Sequence, residues 1–348
     1  MQILLTGGTG FIGSHITRAA VAGGHRVRLL ARTPAKVPEV LGPLGVDGDA
    51  VEVFTGDATD ATAVREAIAG CDAVIHAAAV VSMRRSESAA SHIANLTAAR
   101  CVLGSAAAAG CDPIVHVSSI SVLERGAPAT GLDAPVRIST EGYSRAKADI
   151  EWYARGMQDA GVPVAITYPN AVLGPVSPTL TALHRAAQAW IGTMMLPPSG
   201  VGIVDVRDLA AQHVAMLEPG LGPRRFLHGG NFATWHDLGA MIESVTDRTI
   251  PKLRTPGAML RGAGRFVDLT HLPIPLDFDL TLEAMTEATR AVPVDSTATV
   301  DALGIPFRPT QETLADTYRW MFETGAVTAK QAGALASDRA PGDYADAG

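Results

Sequence analysis

Strand and helix patterns alternate through the first half of this chain, and this alternation limits the fold more than any other feature. Short apolar runs such as "QILLT" at 2–6 are each followed by a segment with apolar residues at helical spacing. Further strands are predicted at 25–31, 50–57, 72–79, 113–119 and 163–169. Strands separated by right-handed helical crossovers form a parallel sheet covered on both faces. The sequence therefore predicts a doubly wound α/β fold.

A glycine-rich turn, "TGGTGFIG" at 6–13, joins the first strand to the first helix. Gly7 permits a tight turn, Gly10 lets the backbone approach a pyrophosphate, and Gly13 lets the helix pack close to the strand. Phosphates bind well at a helix N-terminus, where unpaired N–H groups and the helix dipole favour anions. The spacing G-x-x-G-x-x-G differs from the commoner G-x-G-x-x-G. In its strand–turn–helix setting it still predicts dinucleotide binding.

The end of the second strand indicates which dinucleotide binds. A carboxylate there holds the ribose 2′-OH of NAD, but no acid occurs between Leu29 and Pro38. Arg32 stands in that place and Lys36 follows, so NADP is favoured and NAD stays possible. Arg32 can equally be a solvated loop arginine. Asp57, after the third strand, is expected to reach the adenine amino group, or to form an Asx turn or helix cap.

The stretch "YSRAK" places Tyr143 and Lys147 one helical turn apart on a shared face. Alone, this spacing is also typical of an ordinary amphipathic helix. The helix precedes the sixth strand, and "VSS" at 117–119 ends the fifth strand. Ligands of such sheets bind outside the carboxyl ends of the strands. A catalytic pair beside the glycine-rich turn is therefore the favoured interpretation.

The motifs together resemble those of the extended short-chain dehydrogenase/reductase superfamily. The similarity covers residues 1 to about 230 with the expected order and spacing. Its carriers are "TGGTGFIG", "GD" at 56–57, "HAAA" at 76–79, Asn95, "VSS", "YSRAK", "YPNAVLGP" at 168–175 and "VDVRDLA" at 204–210.

The resemblance implies catalytic roles for three residues. Tyr143 would be the general acid in reduction and the base in oxidation, and the Lys147 charge would lower the pKa of this phenol from about 10. Ser119 would donate a hydrogen bond to the substrate oxygen, with Ser118 as the competing choice. Asn95 would support the helix and a water path to Lys147.

The resemblance also implies a set of cofactor contacts. Lys147 would hold the nicotinamide ribose, and two residues of "YPNAVLGP" would flank the nicotinamide ring. The expected cofactor-binding residues are Gly7, Thr9, Gly10, Phe11, Ile12, Gly13, Arg32, Asp57, Ala58, Ala77, Ala78, Ala79, Ser118, Tyr143, Lys147, Pro169 and Val172.

Departures from the motifs favour a reductase within the superfamily. Sugar dehydratases of the family carry an Asp-Glu pair after the catalytic serine, where this chain has Ile120 and Ser121. Nucleotide-sugar epimerases carry an asparagine where this chain has Ala171, and Asn170 is one residue away. The pattern is closer to dihydroflavonol 4-reductases, cinnamoyl-CoA reductases and 3β-hydroxysteroid dehydrogenases. An NADP(H)-dependent oxidoreductase is expected; an NAD-dependent epimerase and a non-catalytic NADP sensor are the alternatives.

The chain is expected to form a doubly wound Rossmann domain and a smaller, mostly C-terminal α/β substrate domain. The apolar substrate pocket is expected between them, although its candidate walls can equally be core. The expected ranges are 1–174 with 204–230 for the Rossmann domain, 175–203 and 231–325 for the substrate domain, and 326–348 for a disordered tail. The candidate walls are 78–85, 120–140, 171–196 and 260–282, with Met83, Trp190, Met194 and Met195; Arg84 and Arg85 would meet an anionic group or solvent.

The composition limits the kinds of partner and the compartment that we expect for this protein. The net charge is −7 without a basic block, which disfavours nucleic acid. No apolar run reaches the ~20 residues of a membrane span. Cys71, Cys101 and Cys111 lack metal-site spacing and are expected to be small buried thiols in a reducing cytoplasm. A small-molecule carbonyl or alcohol is the expected substrate, no metal site is expected, and the resemblance implies a homodimer through the helices that contain Asn95 and Tyr143.

Overall fold

A computed structural model describes residues 1–79, 85–126, 128–137, 142–270 and 281–336, and the side chains of 85–89, 142–144 and 146 lie outside that description. Its centre is a seven-stranded parallel sheet, which confirms the predicted fold class. The strands lie in the order β10-β6-β5-β4-β1-β2-β3. They are β1 Gln2–Thr6, β2 Arg26–Ala31, β3 Val51–Thr55, β4 Ala73–His76, β5 Ile114–Val117, β6 Val164–Pro169 and β10 Arg224–His228.

Helices cover both faces of this sheet because successive strand residues point to opposite sides. Ile3 and Leu5 of β1 pack towards α1 and α7, whereas Leu4 packs towards α3, α4 and α5. All three side chains are fully buried. The helices around this sheet are α1 Phe11–Ala22, α2 Lys36–Leu41, α3 Ala61–Ile68, α4 Arg85–Ala108, α5 Gly142–Asp159 and α7 Val206–Ala215.

The strand order reverses beside β1, which has β2 on one side and β4 on the other. At such a reversal the connections leave in opposite directions, and a crevice opens outside the carboxyl ends of the strands. The glycine-rich turn follows β1, the "HAAA" motif ends β4 and "VSS" ends β5. The fold therefore brings three of the sequence motifs to one edge of the sheet.

A second group of elements packs around its own core, which includes Trp235, Leu238, Leu314 and Tyr318. Its strands form a three-stranded sheet in the order β11-β9-β7 and a two-stranded sheet of β12 and β8. The strands are β7 Ala171–Leu173, β8 Met194–Leu196, β9 Gly200–Asp205, β11 Asn231–Thr234 and β12 Lys252–Arg254. The helices are α6 Ala182–Trp190, α8 Trp235–Thr246, α9 Gly257–Thr270, α10 Leu282–Arg290, α11 Thr297–Leu303, α12 Thr310–Glu323 and α13 Ala329–Ala332.

The motif "VDVRDLA" has a structural explanation at the start of α7. The Asp205 side chain accepts a hydrogen bond from the Arg207 backbone N–H at 2.8 Å and thereby caps the helix. The Arg207 guanidinium returns to Asp205 and also reaches Asp316 of α12, each at 2.8 Å. Burial alone would raise the pKa of Asp205, but its hydrogen bonds from Arg207 outweigh burial and lower it. This buried network ties α7 to the C-terminal elements.

The predicted disordered tail is wrong for residues 326–336. Val327 and Ala332 are buried against the second core, and Thr328 caps α13 through a reciprocal capping box with Gln331. Periodicity did not predict this packing, because the segment has few apolar residues. They contact a core formed by other elements, so they do not need to repeat at helical or strand spacing. Residues 337–348 lie outside the described part of the chain. Within the described part, no helix has the length and apolarity needed to span a membrane.

Candidate active site

The glycine-rich turn is tightly packed, and two of its glycines are sterically required. Gly7 has φ +82°, and a Cβ there would lie 2.6 Å from the Ala78 backbone nitrogen. A Cβ on Gly13 would lie 2.1 Å from the Gly7 carbonyl oxygen. The Gly10 N–H donates to that same oxygen at 2.9 Å. Strand β1, helix α1 and the "HAAA" segment therefore meet with backbone against backbone.

The N-terminus of α1 fits a pyrophosphate. The helix begins after Gly10, and no side chain caps its first N–H groups. Gly10 is exposed, and Thr9, Phe11 and Ile12 are half-buried around it. A helix of twelve residues with an uncapped, accessible N-terminus at the sheet reversal presents donors and a favourable dipole to an anion. The first residues of the predicted cofactor set thus lie together.

Arg32 follows directly after strand β2 and lies close to Asp57. Arg32 Nη1 lies 4.0 Å from Asp57 Oδ2, with the two side chains 72% and 44% exposed. An ion pair this exposed is weak, so the Arg32 side chain can reorient towards another anion at little cost. Lys36 is also exposed, at the start of α2. The end of β2 is therefore followed by two exposed basic side chains, of which Arg32 has a weak contact with Asp57.

Asp57 forms the Asx turn that the sequence left open. Its Oδ1 accepts hydrogen bonds from the N–H and the hydroxyl of Thr59, both at 2.8 Å. The backbone hydrogen bond is the main cause that lowers the pKa of Asp57. The cap of α3 is instead Asp60, which accepts from Thr62 and Ala63. Asp57 Oδ2 accepts no hydrogen bond among the described residues and lies 4.0 Å from Arg32 Nη1.

The small residues of the predicted cofactor set line the carboxyl edge of the sheet. Ala77 and Ala78 are half-buried and pack against the backbone of Gly7, and Ala79 is exposed. The Ala77 N–H extends the ladder to the Thr6 carbonyl at 3.1 Å. Ala58 is half-buried and contacts the core beneath α3.

The two serines after β5 have different environments. Ser118 is buried, and its hydroxyl donates to Glu151 Oε2 at 3.0 Å. Ser119 is half-buried, and its Oγ lies 3.0 Å from Ser121 Oγ and accepts from the Ser121 N–H. Ser119 also lines a cavity of about 420 Å³, whereas Ser118 does not. The structure therefore distinguishes the two serines, because Ser119 lines the cavity and Ser118 is bonded to Glu151.

Glu151 explains why Ser118 points inwards. The carboxylate is fully buried and accepts hydrogen bonds from Tyr168 at 2.5 Å and from Arg155 at 2.7 Å, besides Ser118. Burial and the neighbouring carboxylate raise the pKa of Tyr168, so the phenol stays protonated and donates. The network joins α5 to β5 and β6 and fixes the helix that carries "YSRAK".

Lys147 is buried on α5, with 5% of its surface exposed. The Tyr143 side chain lies outside the described residues, although its backbone begins α5 one turn before Lys147. Asn95 on α4 is also buried, at 6%. The structure thus places Lys147 and Asn95 inside the α4–α5 layer, and the roles assigned to Asn95 and Tyr143 stay predictions.

A cavity of about 420 Å³ begins at Ser119 and extends into the second group of elements. Among the described residues that line it, only Ser119, Asn170, Thr193 and Glu287 carry polar side-chain groups that are not part of an indole. The Asn170 amide is engaged with backbone, since its Oδ1 accepts from the Ala171 N–H and its Nδ2 donates to Gly229. The other lining residues are Ile120, Pro169, Ala171, Ala182, Leu183, Ala186, Ala189, Trp190, Met195, Pro197, Gly200, Val201, Trp235, Leu260, Ala284, Met285, Ala288 and Ala291.

The predicted walls are confirmed in part. The segment 171–196 supplies much of α6 and includes Trp190 and Met195, but Met194 is fully buried core and lines nothing. Strand β8 alternates its side chains, so adjacent methionines point to opposite faces. From 120–140 and 260–282 only Ile120 and Leu260 contribute among the described residues. Residues 80–84 lie outside the description, as does the Arg85 side chain.

Sequence reasoning missed the contributions of α8 and α10. Trp235 opens α8, and Met285, Glu287 and Ala288 lie on α10. The spacing of Met285 and Ala288 is a weak helical signal that could have revealed α10. Pro169 lines the cavity and Val172, half-buried in β7, does not; their contact with the nicotinamide stays a prediction.

Aromatic contacts join the nucleotide turn to the cavity wall. Phe11 begins α1, and its ring lies 4.9 Å from the ring of His184 on α6. His184 in turn lies 5.3 Å from the Trp320 ring of α12. His15 of α1 hydrogen-bonds the Val176 carbonyl at 3.1 Å, where Val176 has φ +55°. A β-branched residue in this left-handed region is held there by its surroundings, and the hydrogen bond from His15 is one of the contacts that hold it.

A family model and several curated proteins are similar to this chain, and they point to the same family. The model of the NAD dependent epimerase/dehydratase family matches residues 3–237. A Synechocystis sp. protein provisionally named dihydroflavonol 4-reductase is 25% identical over 341 residues, 93% of this chain and 95% of its own. A 2-alkyl-3-oxoalkanoate reductase from Stenotrophomonas maltophilia is 31% identical over 226 residues, 63% of this chain and 66% of its own.

A solved structure shares the fold. UDP-glucose-4-epimerase from Stenotrophomonas maltophila, with bound NAD and formylated UDP-arabinopyranose, superposes with a TM-score of 0.72 at 19% identity over 94% of this chain and 100% of its own. The family model covers more than half of the chain. The chain therefore belongs to the NAD-dependent epimerase/dehydratase family and is an NAD(P)-dependent oxidoreductase of the extended short-chain dehydrogenase/reductase type.

Proposed function

We propose that the protein is an NADP(H)-dependent oxidoreductase that interconverts a carbonyl and a secondary alcohol on a small, largely apolar molecule. The observation that carries this proposal is the cavity of about 420 Å³ that starts at Ser119. Its walls are leucine, methionine, valine, alanine and tryptophan side chains. A nucleotide-sugar in that space would leave many hydroxyl and phosphate groups without partners, which is costly.

The choice of NADP rests on Arg32. Among the described residues its guanidinium has a 4.0 Å, exposed contact to Asp57, and it stands at the end of β2, where an acid would select NAD. In the proposed complex the guanidinium turns to the 2′-phosphate, and Lys36 adds positive charge. The pyrophosphate binds at the N-terminus of α1, and the adenine lies beside Asp57.

In this proposal each catalytic residue has a separate task. A bound nicotinamide supplies or accepts the hydride. Ser119 donates a hydrogen bond to the substrate oxygen at the cavity end, Tyr143 transfers the proton to or from that oxygen, and the buried Lys147 charge favours the phenolate form of Tyr143. The low polarity of the cavity strengthens these interactions by excluding water.

The names of the relatives support the substrate class. A 2-alkyl-3-oxoalkanoate carries its ketone between alkyl chains and also has one carboxylate, and a dihydroflavonol is an aryl ketone with hydroxyl groups. The alkyl and aryl parts of both molecules match a lining with few polar side chains. The relatives' substrates are not assigned to this chain; they indicate which ketones to try first, namely alkyl 3-oxo compounds and aryl ketones.

The first experiment is a fluorescence titration of purified protein with NADPH and NADH, after assaying the protein for retained nucleotide. A nucleotide-free protein that binds NADPH more tightly than NADH, and then reduces apolar ketones, supports the proposal. Tyr143→Phe should abolish turnover and keep NADPH affinity. Tightly retained NAD together with binding of a UDP-sugar would refute the proposal in favour of an epimerase.

The cavity itself is tested by Ala186→Trp, which places a large side chain inside it. We expect the KM for apolar ketones to rise at least tenfold while NADPH affinity stays unchanged. Ala240→Trp is the matched control, because Ala240 is exposed on α8 and does not line the cavity. Equal ketone kinetics in the two variants would show that substrate binds elsewhere.

A further inference from the structure

Glu287 is the one charged side chain on the cavity wall among the residues that the structure describes. It lies on α10 and is half-buried, in a wall formed mostly by apolar side chains such as Trp190, Met195 and Leu260. A carboxylate in such surroundings loses water, which is costly unless polar partners replace that water. The presence of Glu287 at this cavity therefore needs a physical explanation.

Two arginines hold the Glu287 carboxylate. Arg125 Nη2 contacts its Oε2, and Arg137 Nη1 donates a hydrogen bond to its Oε1 at 3.2 Å. The three side chains are between 24% and 39% exposed, so their charges are partly shielded from solvent. Neither arginine is among the residues that line the cavity, whereas Glu287 is. The carboxylate is thus the charged group of this trio that a ligand in the cavity would meet.

Backbone pairing positions both arginines. They lie on the loop that follows β5 and begins at Ser119, where the cavity also begins. The Arg137 N–H donates to the Val122 carbonyl oxygen at 2.7 Å, which brings the two arms of this loop together. Thr130, between the arms, exchanges two backbone hydrogen bonds of 2.9 Å with residues 293 and 295, just after α10. The loop therefore presents its guanidinium groups to α10.

The Glu287 carboxylate can accept further hydrogen bonds. Its two oxygens offer about four lone-pair sites, and each oxygen meets one arginine in the structure. The other polar groups of the wall are less suited to this task. The Asn170 amide is bonded to backbone, Thr193 is exposed, and the proposed function assigns Ser119 to the carbonyl oxygen of the substrate. Glu287 is therefore the acceptor for a donor elsewhere on the substrate.

We propose that Glu287 is a specificity-determining residue, which accepts a hydrogen bond from a neutral hydroxyl group on the substrate, away from the carbonyl that is reduced. The two guanidinium charges exceed the single carboxylate charge, so they disfavour an ammonium group on the ligand. A carboxylate on the ligand would meet the Glu287 oxygens and gain no donor from them. A neutral hydroxyl adds no charge and donates to an ionised acceptor. The substrate class is a hydroxylated, otherwise apolar ketone.

This inference rests on the proposed function, which assigns the Ser119 end of the cavity to the ketone oxygen. It deepens that function by naming a second group on the substrate and the residue that binds it. A purely structural role for the trio, in which it joins the loop after β5 to α10, would affect all ligands alike. Recognition affects only those ligands that carry the hydroxyl group, so a comparison of matched ligands separates the two roles.

The experiment compares straight-chain 2-ketones with their ω-hydroxy analogues of equal chain length, over a series of lengths. Affinity is measured by calorimetry on protein saturated with the oxidised form of its nucleotide, so that no ketone is reduced. At one chain length we expect wild type to bind the hydroxylated ketone about 10- to 100-fold more tightly than the plain ketone, as a hydrogen bond to a charged group predicts. In Glu287→Leu this preference should vanish or reverse, because the buried hydroxyl then loses its acceptor.

Glu243→Leu is the matched control. Glu243 is a half-buried glutamate on α8 that pairs with Lys252, and it does not line the cavity. This variant also removes a glutamate from an ion pair, and it should keep the wild-type preference for the hydroxylated ketone. Glu287→Gln keeps an acceptor oxygen but loses the charge, so it should keep only part of the preference.

Four results would overturn the inference: no binding of any ketone in the series, equal affinity for both members of every pair in wild type, a preference that survives in Glu287→Leu, or an undiminished preference in Glu287→Gln. The last result carries the test if Glu287→Leu does not fold. Turnover is then assayed separately with NADPH. A protein that binds the hydroxylated ketone through Glu287 but reduces no ketone would refute the proposed function and still support Glu287 as the acceptor.

Discussion

Replacement of Gly13 by alanine tests whether the turn after β1 can open. The added Cβ would lie 2.1 Å from the Gly7 carbonyl oxygen and 2.7 Å from its carbon, whereas real Cβ contacts stay beyond 3.0 Å. Both obstructing atoms are backbone, and the Gly7 oxygen is held by the Gly10 N–H. Helix α1 and the turn must therefore separate by about 1 Å, because close-packed backbone cannot yield in any other way.

The magnitude follows from this displacement. Overpacking of this kind costs about 1–3 kcal/mol of folding free energy. The first N–H groups of α1 move with the helix, and loss of even one hydrogen bond to a charged phosphate costs about 1.5–3 kcal/mol. We therefore expect Gly13→Ala to weaken NADPH binding about 10- to 100-fold.

The assay is nicotinamide fluorescence for affinity and urea unfolding for stability. Gly156→Ala is the control: Gly156 is exposed on α5, and a Cβ there meets nothing within 4 Å. It should stabilise the protein by about 0.5–1 kcal/mol, as removal of a helical glycine does, and leave affinity unchanged. A Gly13→Ala protein that binds NADPH as tightly as wild type would refute the packing argument.

Three further predictions concern the cofactor, the C-terminus and acid stability. Arg32→Asp should shift preference towards NADH by at least tenfold, measured as the ratio of the two affinities; an unchanged ratio would remove Arg32 from the phosphate site. Ending the chain at Gly325 should lower the urea midpoint relative to ending it at Ala336, because only the shorter chain loses buried Val327; equal midpoints would contradict the packing. Burial lowers the pKa of His15, His184 and His213 to about 4, so the unfolded chain binds more protons between pH 6.5 and 4 and stability falls as pH drops. Each histidine contributes about 1.4 kcal/mol per pH unit, and a flat unfolding free energy from pH 6.5 to 4.5 would disprove their burial as neutral rings.

Periodicity predicted the sheet well because its strands are buried on both faces and stand out as apolar runs. Strand β1 was predicted at the residues where it occurs, and helices α1, α3, α4 and α5 lie in the segments between the predicted strands. Glycine spacing predicted the turn for a steric reason, since Gly7 and Gly13 face backbone that excludes any Cβ. These features are local, and a single sequence contains them.

The cavity wall was harder to predict because its residues come from separate elements and look like core. Met194 and Met195 are adjacent residues of the same type, yet Met194 is buried in the core and Met195 lines the cavity. The stacking of the His76 and His116 rings was also missed, since register between β4 and β5 brings together residues forty positions apart. The roles of the two serines after β5 could not be told apart from the sequence, because the partner of Ser118 is Glu151, thirty-three residues away.

The contact between Phe11 and His184 bears on the order in which ligands enter. Phe11 is the first residue of α1, at whose N-terminus we propose that the pyrophosphate binds, and His184 lies on α6, between Leu183 and Ala186 of the cavity wall. In that proposal, a nucleotide that orders the N-terminus of α1 also orders the wall that would contact the ketone. Such coupling is reciprocal, so a filled cavity should slow nucleotide departure to the same degree that nucleotide favours filling. From this aromatic contact we expect ordered steady-state kinetics, in which the nucleotide binds first and leaves last.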